Sequence, residues 1–315
     1  MQIKNLKRIT HSAKHHAFTD LCDFKDALYC CFRVAKNHIS DDGRLYVLKL
    51  SENGQVRYTH QICMPDTDLR DPKLSVTPKG ELLLLAYARR TKRGSHLGEI
   101  GNHHPMIWVS QDGLSWSSGK NIGEQHWWLW RIRWHRGKAY GFAYNRAANS
   151  VNLYTGDPKR SFHPLKSGAF NLQTHHKGYP NESDMCFCAN GTAYTILRRD
   201  SDTFSAQFGI SNAPYTQWQW LDLGFYLGGP TMLLLNAQQG ILAGRIVHAG
   251  KCVTAILSIE LTTAVVSIMT ILPSSGDNSY PGMVKRGDTL FVSYYSSHQD
   301  EQAHVYLAQL TLNKH

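Results

Sequence analysis

One pattern recurs along the chain: a short apolar run, a tight polar turn, and a second apolar run. It is clearest in Tyr179–Arg199, where Ser183–Cys188 reads as one strand and Thr192–Leu197 as its return, with Ala189-Asn190-Gly191 between them. Asn-Gly between apolar runs is a strong hairpin signal, because both residues tolerate the turn's positive φ. Five more stretches read the same way. The first is His16–Leu21 with Ala27–Phe32. The second is Asp71–Leu74 with Glu81–Ala88, turning at Pro78-Lys79-Gly80. The third is Leu129–Trp134 with Lys138–Ala143, turning at Arg136-Gly137. The fifth is Pro230–Leu235 with Ile241–Gly244, turning at Gln239-Gly240. The sixth is Tyr280–Val284 with Thr289–Ser293, turning at Arg286-Gly287-Asp288.

After each hairpin a further strand runs into a small hydroxyl residue and a turn: Ser51, Ser110, Thr155, Ser211, Ser258 and, more weakly, Thr311. These residues lie 45 to 59 positions apart, the length of a four-stranded blade with variable loops. No segment holds a 3.6-residue apolar period, so almost no helix is expected. The predicted fold is all-β, a six-bladed β-propeller formed as a single domain by residues 1–315. The sixth unit lacks a fourth strand, and Ile3–Thr10 is placed to supply it and close the ring without an open edge. A β-sandwich or a pair of barrels accounts less well for six equivalent units.

Composition narrows the partners rather than the fold. The chain is 18% charged and 42% hydrophobic, ordinary for a globular protein, with a formal net charge of +10. That balance suits an anionic ligand, a nucleic acid or a membrane surface. The basic residues are scattered apart from Arg89-Arg90-Thr91-Lys92-Arg93. No RNA-binding signature, basic helix or membrane-length apolar run is present, so neither nucleic acid nor membrane is expected as the partner. The N-terminal segment has no apolar signal core, and a cytoplasmic location is expected. The 7 Cys and 17 His show no metal-ligand spacing and no HExxH, so free thiols and no metal or organic cofactor are expected.

Aligning the hairpins places chemistry at one end of the blades. The second strands end in Phe32-Arg33, Ala88-Arg89, Ala143-Tyr144, Leu197-Arg198, Gly244-Arg245 and Ser293-Tyr294. The inner strands begin at Phe18, Asp71, Glu182, Gly229 and Tyr280, with Trp130 or Arg131 in the third. Clustered arginines repel unless carboxylates or an anionic ligand neutralise them, and a guanidinium grips a carboxylate through two parallel hydrogen bonds. This pattern predicts a pocket for a carboxylate-bearing ligand. The alternative is that each arginine pairs with Asp71, Glu182 or nearby backbone.

These features together resemble the sialidase superfamily of six-bladed propellers. Ser110-Gln111-Asp112-Gly113-Leu114-Ser115-Trp116 looks like a shortened form of its Asp box, with degenerate copies at Ser51-Glu52-Asn53-Gly54 and Ser211-Asn212-Ala213-Pro214. The resemblance implies a tyrosine nucleophile at Tyr280, assisted by Glu182, and a substrate carboxylate held by arginines including Arg198 and Arg245. Tyrosine suits this chemistry because a carboxylate nucleophile would be repelled by the one on the sugar. Asp71, before Pro72, resembles a sugar-binding aspartate. The family's first arginine has no counterpart in His16-Ala17-Phe18-Thr19, so Arg33 stands in, with Arg89 nearby and Arg199 the alternative to Arg198 if register slips by one. The family's acid/base aspartate is also missing; His38 lies nearest its place, and His38 or Asp71 would handle the leaving-group proton. The loop Arg89–His104, with Glu99, His103 and His104, is placed to act as a lid, and Trp127, Trp128 and Trp130 are candidates for sugar stacking. The expected function is a sialidase-like glycoside hydrolase on an acidic sugar. The alternatives are a non-catalytic propeller binding an anionic glycan or protein, and a lyase or isomerase using His38 and Tyr280 as acid and base.

Overall fold

The computed structural model describes residues 1–90 and 101–312. Glu99 lies outside the described residues. The chain divides into two compact units, Met1–His126 with Ser274–His315, and Trp127–Pro273.

The first unit contains β1 (Gln2–Arg8), β2 (His15–Phe24), β3 (Ala27–Ala35), β4 (Arg44–Leu50), β5 (Val56–Ile62), β6 (Thr67–Val76), β7 (Leu82–Arg90), β8 (His104–Ser110) and β9 (Lys120–Asn121). The second contains β10 (Trp128–Leu129), β11 (Arg133–His135), β12 (Lys138–Asn145), β13 (Ser150–Asp157), β14 (Ser161–Asn171), β15 (Pro180–Phe187), β16 (Ala193–Arg199), β17 (Gln207–Ser211), β18 (Gln219–Asp222), β19 (Gly228–Leu234), β20 (Gln239–His248), β21 (Lys251–Glu260) and β22 (Val266–Ile271). The chain then returns to the first unit with β23 (Asn278–Arg286), β24 (Thr289–Ser296) and β25 (His304–Thr311). The one helix among the described residues is α1, Leu172–His175.

Each unit holds three antiparallel blades. In the first these run β2-β3-β4-β5, β6-β7-β8-β9 and β23-β24-β25-β1; in the second β15-β16-β17-β18 and β19-β20-β21-β22 follow a blade whose inner strand is broken into β10 and β11, both paired with β12. β1 closes its blade as expected, with Leu6 opposite Ala308. One expected turn moves. Gln239 and Gly240 belong to β20, and the reversal falls just before them. Asn236 Oδ1 accepts from the amides of Gln238 and Gln239, and this side-chain-built turn outcompetes the glycine signal.

Leu82-Leu83-Leu84-Leu85-Ala86 are all at most 1% exposed, because a strand inside a stack of blades is covered on both faces. Outer strands are largely exposed or half-buried instead, and β5 is exposed along most of its length. Each unit has its own apolar core, one around Tyr29, Leu45, Leu84 and Trp108, the other around Ile196, Phe208, Leu242 and Leu257.

The Ser110–Trp116 stretch forms a closed turn. Asp112 Oδ1 accepts from the amides of Leu114 and Ser115 at 2.8 Å, and Ser110 Oγ accepts from Gly113 N at 2.8 Å. Those backbone donors hold the Asp112 carboxyl at about 2. Gly113 is required twice over. Its φ is +75°, and a Cβ would lie 2.3 Å from the Tyr29 hydroxyl.

Candidate functional site

Five inner strands carry a bulge, where two residues face one on the neighbouring strand. The pairs are Phe18-Thr19 between Ala17 and Asp20, Asp71-Pro72 between Arg70 and Lys73, Asn181-Glu182 between Pro180 and Ser183, Gly229-Pro230 between Gly228 and Thr231, and Tyr280-Pro281 between Ser279 and Gly282. Phe18, Asp71, Gly229 and Tyr280 each have a left-handed backbone, φ 60°, 50°, 58° and 49°. Holding a non-glycine residue there costs about 1–3 kcal/mol, and such residues gather at functional sites.

The register corrects the alignment of the candidates. Glu182 is the second residue of its bulge, not the first, so Asn181 is the counterpart of Tyr280. The residue before each bulge pairs with Arg33, Tyr87, Arg199, Arg245 or Tyr295. Arg89 pairs with Asp68 two positions further out, and Arg198 lies across from the bulge itself. Four arginines therefore do not share one position, because the bulge adds a residue that a count from the apolar pattern misses.

In the first unit Arg33 is fully buried, and its donors are spoken for. Nε reaches Asp68 Oδ1 at 2.8 Å, and the terminal nitrogens reach the carbonyls of Asn37 (3.1 Å) and Ser40 (2.5 Å). Burial lowers its pKa against the opposing pull of Asp68. Arg33 thus pins the loop that carries His38. Arg70 adds to this, bonding Asp68 Oδ2 at 3.2 Å and the His38 carbonyl at 2.9 Å. Arg89 approaches the same carboxylate at 3.8 Å and is about one-third exposed. Gly43 permits the packing, since a Cβ there would lie 2.0 Å from Asp68 Oδ1.

His38 Nδ1 lies 2.7 Å from Asp277 Oδ2, and His15 Nε2 lies 2.7 Å from the same oxygen. The Tyr295 hydroxyl donates to Asp277 Oδ1 at 2.8 Å. Burial works against ionisation of Asp277, but the bonds from His15, His38 and Tyr295 outweigh it and hold the carboxyl well below its usual range. The Phe18 ring stands edge-on to His38 (5.0 Å) and Tyr280 (5.1 Å), and the Arg70 guanidinium lies 5.2 Å from its centroid. Thr19 Oγ1 donates to the Tyr280 carbonyl at 2.8 Å, fixing its strained backbone. Asp71 is buried at the equivalent position of the next blade.

The second unit carries a separate polar group. Glu182 Oε2 accepts from Arg198 Nη1 and from the amide of Gly229, both at 2.7 Å. Arg198 Nε reaches Asp200 Oδ1 at 2.8 Å, and its guanidinium lies 5.3 Å from the Tyr226 centroid. Burial raises the Tyr226 pKa, and both Arg198 and Arg245 act on it electrostatically. Arg199 is fully buried and bonds the carbonyls of Gly178 and Ser205 together with Asp202, so it organises a loop and Arg198 is the arginine that meets Glu182.

His15, Asp68, Tyr226 and Asp277 escaped the sequence reading. Each lies three residues before a left-handed bulge residue, and three of the four stretches read Asp68-Leu69-Arg70-Asp71-Pro72, Tyr226-Leu227-Gly228-Gly229-Pro230 and Asp277-Asn278-Ser279-Tyr280-Pro281. That spacing ahead of X-Pro was the available signal.

No family model matches the chain, and no curated protein does. Solved structures do. A protein of unknown function from Dyadobacter fermentans is similar over 99% of both chains, with 17% identity and a TM-score of 0.83. The NanB sialidase from Streptococcus pneumoniae matches 99% of this chain and 72% of its own, with 10% identity and a TM-score of 0.71. The fold is the six-bladed β-propeller of the sialidases. The α-L-arabinanase of Penicillium chrysogenum has this propeller too, with 13% identity over 99% of both chains and a TM-score of 0.69. The propeller's structural neighbours thus include glycoside hydrolases that differ in the sugar their names give.

Proposed function

We propose that this chain is a sialidase-like glycoside hydrolase acting on an acidic sugar. The observation that carries the reading is the placement of Tyr280. It sits in a left-handed bulge locked by Pro281 and the Thr19 hydroxyl, with its ring against Phe18, and Asp71 occupies the equivalent bulge of another blade. In this reading the Tyr280 oxygen bonds to the anomeric carbon as the bond to the leaving group breaks and the phenol proton passes to water; the phenol is a neutral nucleophile where a carboxylate would be repelled. Asp71 handles the leaving-group proton. The net charge of +10 and the partly exposed Arg89 support an anionic substrate. Arg33 drops out of substrate binding because its donors are committed to Asp68 and the His38 loop.

A fluorogenic panel of sialosides, uronides and neutral arabinosides tests this reading. Release is expected from an acidic member, and Tyr280→Phe and Asp71→Asn should each lower kcat/KM by about 10²–10⁴-fold with folding unchanged. Preference for the arabinoside would overturn the acidic-sugar part. No release from any member, with an acidic sugar still raising Tm, would favour a binding propeller. The His38–Asp277 hydrogen bond beside Tyr280 favours a second reading, elimination from an acidic sugar with imidazole and phenol as base and acid. Hydrolysis incorporates label from heavy-oxygen water, whereas elimination leaves an unsaturated sugar and no label.

A further inference from the structure

We propose that His15 Nε2, His38 Nδ1 and the Asp277 carboxylate form a binding site for a divalent first-row transition metal of the zinc class. The three ligand atoms lie within 4.8 Å of one another. Both imidazole nitrogens converge at 2.7 Å on a single carboxylate oxygen as hydrogen bonds, which aims three metal-ligating atoms at one point. Ligand atoms around tetrahedral zinc are about 3.3 Å apart, so a small spreading of the two rings makes room. Two imidazoles and one carboxylate suit zinc and its neighbours better than calcium or magnesium, which take oxygen-rich sets.

The surroundings are those of a held site. Tyr295 fixes the other oxygen of Asp277, as outer partners of metal carboxylates do. The His38 loop is pinned by Arg33 and Arg70, and Asn37 Oδ1 accepts from the amides of Ile39 and Ser40. The His38 and Asp277 side chains are 44% and 30% exposed, so water or a sugar oxygen can complete the coordination. Metal binding moves each ring proton to the other nitrogen. For His38 that nitrogen lies on a side chain open to solvent. For His15 it is Nδ1, buried and without a hydrogen-bond partner among the described residues, so affinity rests mainly on His38 and Asp277.

The proposal does not depend on the hydrolase reading, because its readout is binding. Chelator-treated full chain would be titrated with Zn²⁺ by calorimetry, and with Co²⁺ followed by visible absorption. One equivalent should bind and raise Tm with metal concentration. His38→Ala and Asp277→Asn should weaken binding by at least about 100-fold, and Tyr295→Phe by about tenfold. Tyr280→Phe should bind as wild type does, which separates this site from the proposed nucleophile. Absence of stoichiometric binding, or binding that His38→Ala leaves unchanged, would overturn the proposal. His38 sits on a partly exposed loop, so its variant remains informative if Asp277→Asn fails to fold.

Discussion

Asp184 in the second unit and Asp277 in the first both gather donors from several strands, yet they do opposite work. Asp184 is fully buried. It takes two bonds from Arg133 (2.8 and 2.6 Å), an approach from Arg131 at 3.4 Å, the Thr231 hydroxyl at 2.9 Å and the amide of Met232 at 2.8 Å. Burial opposes its charge, but Arg133 and Arg131 prevail and hold its pKa down. Its charged partners keep their charge at any ordinary pH, so this carboxylate fastens β11, β15 and β19 together. Asp277 is partly exposed, and its partners are two imidazoles and a phenol. Unlike a guanidinium, those partners carry no permanent charge. The identity of the donors decides whether a carboxylate is a fastener or a responsive centre.

The largest expected effect is on the fastener. Asp184→Asn should cost about 3–5 kcal/mol in urea unfolding, since it strands two guanidiniums beside a neutral amide. A loss below about 1 kcal/mol would erase the contrast.

Next comes pH. Burial, then His304 and His15, lower the His16 pKa from near 6.5 to about 3. With a depressed folded-state value, the unfolded chain takes the proton first. Stability is therefore full above about 6.5 and falls as pH drops toward 3, by about 2–3 kcal/mol near pH 4.5. Hydrogen exchange should show the first unit losing protection before the second, and His16→Gln should flatten the profile. Equal loss in both units would show that imidazoles do not set the acid response.

The smallest effect is at the responsive centre. Asp277→Asn should cost about 1–2 kcal/mol, because its amide oxygen still accepts one donor. A cost matching that of Asp184→Asn would make both carboxylates fasteners.

The blades were legible because hairpin turns and hydroxyl-ended strands are local signals; Asp71-Pro72 and Tyr280-Pro281 fell on the bulges of their inner strands, which themselves begin earlier, at Thr67 and Asn278. Register at those starts was not legible. A bulge is written in backbone dihedrals, so Glu182 was set one position off and Arg89 two. The roles of Arg33 and Arg199 were hidden for a different reason. An arginine that staples a loop and one that meets a ligand carry the same letter, and only their partners distinguish them. Asp277 and His15 are 262 residues apart, so their meeting follows from blade closure rather than from any local pattern.

Blade closure also bears on how the protein is made. Among the described residues β1 pairs only with β25, Gln2 opposite Thr311. At about 5–20 residues per second, a ribosome leaves β1 without its partner for roughly 15–60 s. Through that interval the last blade, and with it the seat of Tyr280 and Asp277, cannot be finished. The nascent chain carries an unpaired strand edge while the remaining blades form, so yield in a cell should depend on what shields Gln2–Arg8 during synthesis.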